Sequence, residues 1–456
     1  MKNSNKDNPI LIGRLKSFDN EVYSLMGHMG DIQCITKKSY EVLKSMDGFH
    51  TVDDLAKKHH INKNEIYSIF NKYYGDKKLL KLNEWNQVGW CENCGVYVAG
   101  GKCSICGKQT EKIIFSPPCD PYICFEQDRD FICDCLNEHF SVKMPSNAIF
   151  LVNTGVENNT FFWEVAYMGQ IVLKIIFASA SQESWKYELL SIPALHKKSD
   201  SNYSDALSKM LEANKARLEK LFFQSAAFIY ESTQLFKTLP LIYFSGGKES
   251  LVMLSIFEKL QIEANVLTVL TGVEFPDDKE FVYQYKKRLV NSQLFHYYFF
   301  EENGKSIIER LNSGGTLSAK DPWCRVDFKK ELKSKGTKII YKGQDFVAFE
   351  GSRWYENDFR RRHPKINFIN DYEHQIWAHP IAEWTSFDVW IYLYSNGIPV
   401  NPIYKKGFQR TTCWLCPIVS PYHLLNSRKH YPELWSQIKG CKLEAFGDDE
   451  TKNLPY

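Results

Sequence analysis

Apolar residues recur along the chain with two different periods, and the change of period divides it. Over residues 1–85 the spacing is helical. Tyr40, Leu43 and Met46 follow Thr36, a residue type that caps helix starts, and Gly48 ends the run. Thr51-Val52-Asp53-Asp54 looks like a capping box ahead of Leu55 and Ala56. Asn62 and Glu65 open a third stretch carrying Ile66, Ile69, Phe70 and Tyr73, closed by Gly75, and Leu79–Leu82 reads as a short strand. From Phe115 to about Ser191 β-branched and aromatic runs take over. Ala148–Asn153, Thr160–Tyr167 and Gln170–Ala178 predict strands, with Met168-Gly169 as a tight hairpin turn. Asp200–Lys237 returns to one long helical segment through Leu207, Met210, Leu218 and Phe222. Beyond it strands and helices alternate: Leu239–Phe244 and Leu251–Leu260, Ala264–Leu270 and Phe281–Val290, Leu294–Phe300 and Lys305–Leu311, then a strand at Lys338–Lys342. Alternation at that pace predicts an α/β region with a parallel sheet covered on both faces.

Composition bounds the function. At roughly 150 residues per domain, 456 residues make about three domains. A hydrophobic share of 44% supports packed cores and excludes wholesale disorder. With 57 Lys+Arg against 54 Asp+Glu, the net charge of +3 gives no global case for nucleic-acid binding and leaves only local patches. No apolar run reaches the ~18 residues of a membrane span, and the polar opening MKNSNKDNPILIGRL has no signal core, so a soluble, cytoplasmic protein is expected. Thirteen cysteines in such a chain point to metal or redox chemistry rather than disulfides.

Their spacing is informative. Cys91-x2-Cys94-x8-Cys103-x2-Cys106, with Gly95 and Gly107 behind each pair, gives two clamps suited to tetrahedral Zn²⁺ and predicts a ribbon over residues 86–115. Cys119, Cys124, Cys133 and Cys135 form no second clamp and read as packing residues. Cys34 stands alone. Cys324, the pair Cys413-x2-Cys416, and Cys441 lie in or behind the α/β region.

The sharpest signal is Pro240-Leu-Ile-Tyr-Phe-Ser245-Gly246-Gly247-Lys248-Glu249-Ser250. A buried strand runs into two glycines, and a helix opens directly after them. Such a junction aims free N–H groups and the positive helix end at an anion; Lys248 adds a charge, and Ser245 and Ser250 add hydroxyls. The loop resembles the S-G-G-K-[DE]-S loop of PP-loop ATP pyrophosphatases. Further stretches are similar to the branch that holds PAPS reductases and the small subunit of sulfate adenylyltransferase. These are Thr271-Gly272-Val273-Glu274-Phe275-Pro276, Gly351-Ser352-Arg353-x-x-Glu356-x-x-x-Arg360, Pro380-Ile381-x-x-Trp384-x-x-x-Asp388, and Asn401-Pro402-x-Tyr404 with Gly407-Phe408-x-Arg410. The resemblance covers about residues 235–420, within an expected catalytic domain at 200–440.

The resemblance implies a doubly wound parallel HUP-like fold and an adenine-nucleotide site. Ser245, Gly246, Gly247, Lys248, Glu249 and Ser250 would cradle phosphates, Arg353 would grip a second anion, Thr271 and Gly272 would sit beside the adenosine, and Arg360 would add charge. Arg361, Arg362 and His363 extend that basic run or face solvent. Leu270 stands where the family has Asp, which removes one nucleotide or magnesium contact. The reductases attack with a C-terminal Glu-Cys-Gly-type cysteine; here the end reads Asp449–Tyr456 without one, whereas Lys248 suits a β,γ-pyrophosphate. The implied reaction is therefore adenylation with ATP and Mg²⁺ ahead of sulfur transfer, onto a nucleic acid in preference. A reductase making sulfite and a non-catalytic nucleotide-binding docking protein are the alternatives. Related sulfur-inserting enzymes carry an iron–sulfur cluster on a lone Cys plus Cys-x2-Cys. Cys324, Cys413 and Cys416, with or without Cys441, thus admit a 4Fe–4S cluster, a second Zn²⁺ or a catalytic persulfide on Cys324. Residues 1–85 resemble winged-helix and PqqD-like peptide-binding domains, which implies a peptide or protein partner. Residues 116–195 resemble a small PUA-type β-barrel, which implies RNA.

Overall fold

The computed structural model describes residues 9–11, 14–18, 22–26, 32–46, 52–73, 80–82, 88–116, 119–157, 160–179, 181–192, 203–318, 323–357, 360, 364–367, 374–438 and 443–444. Expectations on Gly48, Thr51, Gly75, Leu79, Arg361, Arg362, His363, Cys441 and the chain end fall outside the described residues. So do those on the side chains of Cys34, Phe70 and Tyr73.

The first elements are strands β1 (Pro9–Leu11), β2 (Arg14–Phe18), β3 (Val22–Met26) and β4 (Ile32–Ile35), helices α1 (Lys37–Lys44), α2 (Val52–Lys58) and α3 (Lys63–Tyr73), and β5 (Leu80–Leu82). β2, β3 and β4 form an antiparallel meander, and β1 pairs with β5. The helices begin at residues chosen by capping chemistry: Thr36 Oγ1 accepts from Ser39 N at 3.2 Å, and Asn62 Oδ1 from Glu65 N at 2.9 Å. Val42, Leu43, Met46, Leu55 and Ile66 close a small core of their own.

The ribbon comprises β6 (Val88–Cys91), β7 (Val96–Ala99) and β8 (Glu111–Lys112). Next come β9 (Tyr122–Ile123), α4 (Glu126–Phe140), β10 (Phe150–Glu157), β11 (Thr160–Tyr167), β12 (Gln170–Phe177) and β13 (Lys186–Leu189). These strands run in the order β13-β12-β11-β10-β9. The small β-barrel expected here is instead an open antiparallel sheet, because its two edge strands do not pair with each other. α4 lies in a stretch read as strand; it buries Ile132, Cys135 and Leu136. Met168 and Gly169 both have positive φ, 47° and 85°, as a two-residue type I′ hairpin requires. A side chain on Gly169 would meet Trp90 Cβ of the ribbon at 2.6 Å, so ribbon and sheet are packed in contact.

The long helix expected from Asp200 is two, α5 (Tyr203–Ala213) and α6 (Lys215–Thr233). Asn214 makes the break: its Nδ2 donates to Met210 O (2.8 Å) and Tyr97 O (2.9 Å), and its Oδ1 accepts from Ala99 N (2.8 Å). A helix interrupted there ties the ribbon to the α/β half.

That half contains β14 (Leu241–Tyr243), α7 (Lys248–Leu260), β15 (Ala264–Leu270), α8 (Pro276–Val290), β16 (Phe295–Glu301), α9 (Lys305–Asn312), β17 (Leu317–Ser318), α10 (Glu331–Tyr341), β18 (Phe346–Phe349), β19 (Ile366–Asn367), β20 (Gln375–Ala378), α11 (Ser386–Ser395), α12 (Pro421–His430), α13 (Pro432–Trp435) and β21 (Leu443–Glu444). A π-helical turn, Arg325–Lys330, precedes α10. Lys338–Lys342, expected as a strand, closes α10; the strand is β18. A short apolar run does not separate helix from strand, and here Gly336 lets the helix press onto Leu267 and Phe300 of the sheet. Six strands stand in the order β16-β15-β14-β18-β20-β19, parallel except for β19. One hydrophobic core runs from Val88 in the ribbon through the open sheet to Tyr431 in the catalytic half.

Candidate active site

From β14 the chain steps outward through β15 to β16, then returns to place β18 on the other flank of β14. Ligands of open parallel sheets bind at such a reversal, outside the carboxyl ends of the two strands. The loop after β14 is Ser245–Gly247, which delivers Lys248 as the first residue of α7; the loop after β18 leads through Gly351 to Arg353. Gly351 is fixed by proximity, since a side chain there would meet Glu249 Cβ at 2.6 Å.

Gly246 takes φ +75°, and a Cβ on it would come within 2.9 Å of Val282. Only glycine combines that backbone with that space. Gly247 N donates to Ser245 Oγ (3.4 Å), Lys248 N to the Tyr404 hydroxyl (2.9 Å), and Ser250 Oγ to Gly247 O (2.8 Å). Among the described residues the amides of Gly246 and Ser250 have no protein acceptor. Where the loop amides are engaged, side-chain hydroxyls hold them, and an anion can displace a hydroxyl.

Lys248 is buried. Its Nζ lies 2.9 Å from Glu249 Oε1 and donates to Gln409 O at 3.3 Å. Burial pushes the Glu249 carboxyl up, but Lys248 and Arg353 outweigh it and hold the group down to about 2. Glu249 is therefore ionised at every physiological pH.

Arg353 corrects an expectation. It was expected to face a substrate anion; instead it is enclosed by carboxylates. Nη1 donates to Asp120 at 3.0 and 3.1 Å, Nε donates to Glu249 Oε1 at 3.2 Å, and Glu356 Oε1 lies 3.8 Å away. The side chain is 3% exposed, so an unpaired guanidinium there would be costly, and the carboxylates supply the pairing. Arg360 Nη1 continues the chain of charges to Glu356 Oε2 at 2.5 Å. Asp388 is likewise structural: it caps α11 through Thr385 and receives Arg217 Nε at 2.6 Å and Nη2 at 2.8 Å.

The second loop is also self-capped. Glu274 accepts from Thr271 N (2.8 Å), Thr271 Oγ1 (2.8 Å) and Gly272 N (2.9 Å). Thr271 and Gly272 thus reach the crevice with their amides occupied. Gly272 itself cannot be replaced, since a Cβ would lie 2.1 Å from Gly304 N.

Cys413 stands at this edge, its Sγ 3.8 Å from Thr271 Oγ1, but the sulfurs of Cys324, Cys413 and Cys416 do not all lie within 4.8 Å of one another. Burial raises the Cys324 thiol to about 11 and the Cys413 thiol higher still, and Cys416 adds to both. Lys329 acts on Cys324 and Cys413 from the π-helical turn. It forms a basic stripe with Arg325 and Lys333. Lys333 Nζ sits 3.8 Å from Glu350 and 4.1 Å from the Tyr243 ring centroid, and burial brings its pKa down to about 8, helped by Lys329, Arg325 and Arg360.

The ribbon quartet is assembled. Cys91, Cys94, Cys103 and Cys106 offer sulfurs within 4.8 Å of one another, the only such group among the described residues. Cys91–Cys106 is 3.5 Å and Cys94–Cys103 is 3.8 Å. Tetrahedral zinc with Zn–S of about 2.3 Å needs sulfurs about 3.8 Å apart, so this quartet fits a metal of that kind. Gly95 and Gly107, at φ +64° and +71°, let the chain fold back beneath each pair.

Sequence reasoning missed Asp120 and Lys333. Tyr404 lay inside a recognised stretch without a role. Nothing in the local pattern marks Asp120, whose partner is 233 residues away.

Residues 240–419 match the phosphoadenosine phosphosulfate reductase domain. An uncharacterized protein of Methanocaldococcus jannaschii is 24% identical over 76% of this chain and 90% of its own length. Another from that organism is 30% identical over 55% of this chain, which spans 59% of it. Sulfate adenylyltransferase subunit 2 of Pseudomonas entomophila is 24% identical over 42% of this chain and 67% of its own length. Among solved structures, the PAPS reductase of Candida auris aligns with 48% of this chain and 98% of its own at 16% identity, with a TM-score of 0.33. No described helix is long and apolar enough to cross a membrane.

Proposed function

We propose that this chain, which carries a phosphoadenosine phosphosulfate reductase domain at residues 240–419, is an ATP pyrophosphatase-type enzyme that adenylates an acceptor and prepares it for sulfur transfer. One observation carries the reading: a buried lysine stands at a strand–Gly-Gly–helix junction on the reversal point of a parallel sheet. A PAPS-type substrate has no β,γ-pyrophosphate to match that charge, whereas ATP has one.

In this reading the loop amides, Lys248 and Ser250 take the β- and γ-phosphates, displacing the hydroxyls of Ser245 and Tyr404. The acceptor oxygen or nitrogen attacks the α-phosphorus, the bond to the bridging oxygen breaks, and pyrophosphate leaves with that electron pair. Magnesium would spread the departing charge, and Glu249 is the ionised side chain that the loop itself offers it. A sulfur nucleophile then displaces AMP. Cys324, Cys413 and Cys416 are the sulfur-handling residues of the proposal; their sulfurs stand too far apart to clasp one zinc ion, which leaves an iron–sulfur cluster as the group they would hold. The exposed cations Arg325 and Lys329, which act on those thiols, support an acceptor that bears phosphate, and hence a nucleic acid. Zn²⁺ belongs in the ribbon, where it would hold two knuckles together without taking part in the reaction. The helices α1–α3, with their separate core, are the proposed docking unit for a peptide or protein.

The test is Lys248→Ala in the full chain. Pyrophosphate release should fall about 10²-fold or more, with zinc content unchanged. Retained turnover would remove the loop from the mechanism. Iron and zinc counted on anaerobic protein decide the thiol set: about four iron with about one zinc supports a cluster, and about two zinc would overturn it.

A further inference from the structure

Asp120 precedes β9, outside the stretch that carries the nucleotide loop, yet it lies at the hub of that loop's charges. Its carboxylate receives Arg353 Nη1 on both oxygens, at 3.0 and 3.1 Å, and Oδ1 also accepts from Ser386 N, the first residue of α11, at 2.5 Å. Arg353 in turn donates to Glu249, and Glu249 pairs with Lys248. Four side chains therefore run in series from the open sheet to the loop ammonium. The near end is anchored with equal care. Asp120 N donates to Asn153 Oδ1 at 3.0 Å, and Asn153 Nδ2 donates to Ser116 O at 2.8 Å and to Glu164 Oε2 at 3.3 Å. Asn153 and Glu164 are buried on β10 and β11. Cys119, immediately before, is held at φ +57°, a left-handed conformation that a non-glycine residue adopts only when its surroundings impose it.

We infer that Asp120 is a positioning residue for the nucleotide loop: by holding Arg353 between α11 and Glu249, it fixes where Glu249 stands and so where Lys248 presents its charge. The inference rests on the proposed nucleotide site, and it makes the open sheet a part of the active site's scaffold rather than an appendage. If Asp120 is neutralised, Arg353 is shared by Glu249 and Glu356 alone, draws Glu249 toward itself, and leaves Lys248 with a changed partner.

The experiment measures the dissociation constant of a fluorescent ATP analogue, together with pyrophosphate release, for the full-length wild type, Asp120→Asn, Asp120→Glu, Glu249→Gln and the double variant Asp120→Asn/Glu249→Gln. Asp120→Asn should weaken nucleotide binding about tenfold or more, measured at a temperature where far-UV circular dichroism shows the variant still folded. The double variant should be no weaker than Glu249→Gln alone, because both changes cut the same chain. Asp120→Glu keeps the charge and the fold but moves the carboxylate by a methylene, and it should also weaken binding. Wild-type affinity in Asp120→Glu and Asp120→Asn, or additive losses in the double variant, would overturn the inference. Wild-type protein that binds the analogue without releasing pyrophosphate would sink the adenylation reading and leave this test intact; wild-type protein that binds no analogue would end both.

Discussion

Asp128 gives a quantitative pH test of how the open sheet is joined to the catalytic half. It is buried in α4, and its carboxylate accepts from the Tyr122 hydroxyl at 3.2 Å and from the Tyr422 hydroxyl of α12 at 3.1 Å. Burial pushes its pKa from 3.8 to about 7, and the two hydroxyls only partly oppose that rise. The folded chain thus keeps a proton that the unfolded chain releases. Stability from this group is complete below about pH 4 and is lost as pH climbs through about 7, with no loss beyond. At about 1.4 kcal/mol for each tenfold change, the full span is about 4 kcal/mol, most of which disappears between pH 5 and pH 8. Asp128→Asn removes the titration; its amide can accept from one tyrosine and donate to the other. Urea unfolding of both proteins at half-unit steps from pH 5 to 8 is the assay. The wild type should lose stability relative to the variant from pH 5 to about 7 and level off above it. A constant difference would mean that the carboxyl is ionised throughout and that the junction does not depend on its proton.

Two further outcomes concern the frame around the site. Chelating the ribbon metal, or making Cys94→Ser, should lower the melting temperature and release about one zinc per chain, read by a colorimetric chelator; a stable, zinc-free chain would show the quartet to be dispensable. Arg353→Met should cost about 3–5 kcal/mol in urea unfolding because Asp120 is left buried without its cation and Glu249 keeps only Lys248, whereas an arginine that serves only substrate would give full stability and a raised KM.

The strand–Gly-Gly–helix junction was legible because its geometry is local. A strand, two glycines and a helix start are adjacent in sequence, and the backbone they need, φ +75° at Gly246, is one that residue type discloses. The ribbon was legible for the same reason. The charges that hold the loop were not. Arg353 could be recognised but not its enclosure, since two of its three carboxylate neighbours, Asp120 and Glu249, come from segments far apart. The break at Asn214 was hidden because its cause is a hydrogen bond to Tyr97 across the fold, and propensity within Asp200–Lys237 carries no trace of it. Closure of the small sheet depends on whether the edge strands meet, which alternation along each strand cannot express.

The continuous core has a consequence for how this architecture can be taken apart. Cutting at residue 240 would strip the α/β half of Asp120, Asp128 and the Asn214 clamp in one stroke, exposing an apolar flank and taking from Arg353 one of its three carboxylate partners. A shorter protein that retains only that half has to seal the same flank with different residues. The ribbon and the open sheet are thus a wall of the α/β half, inherited with it or replaced, but not detachable.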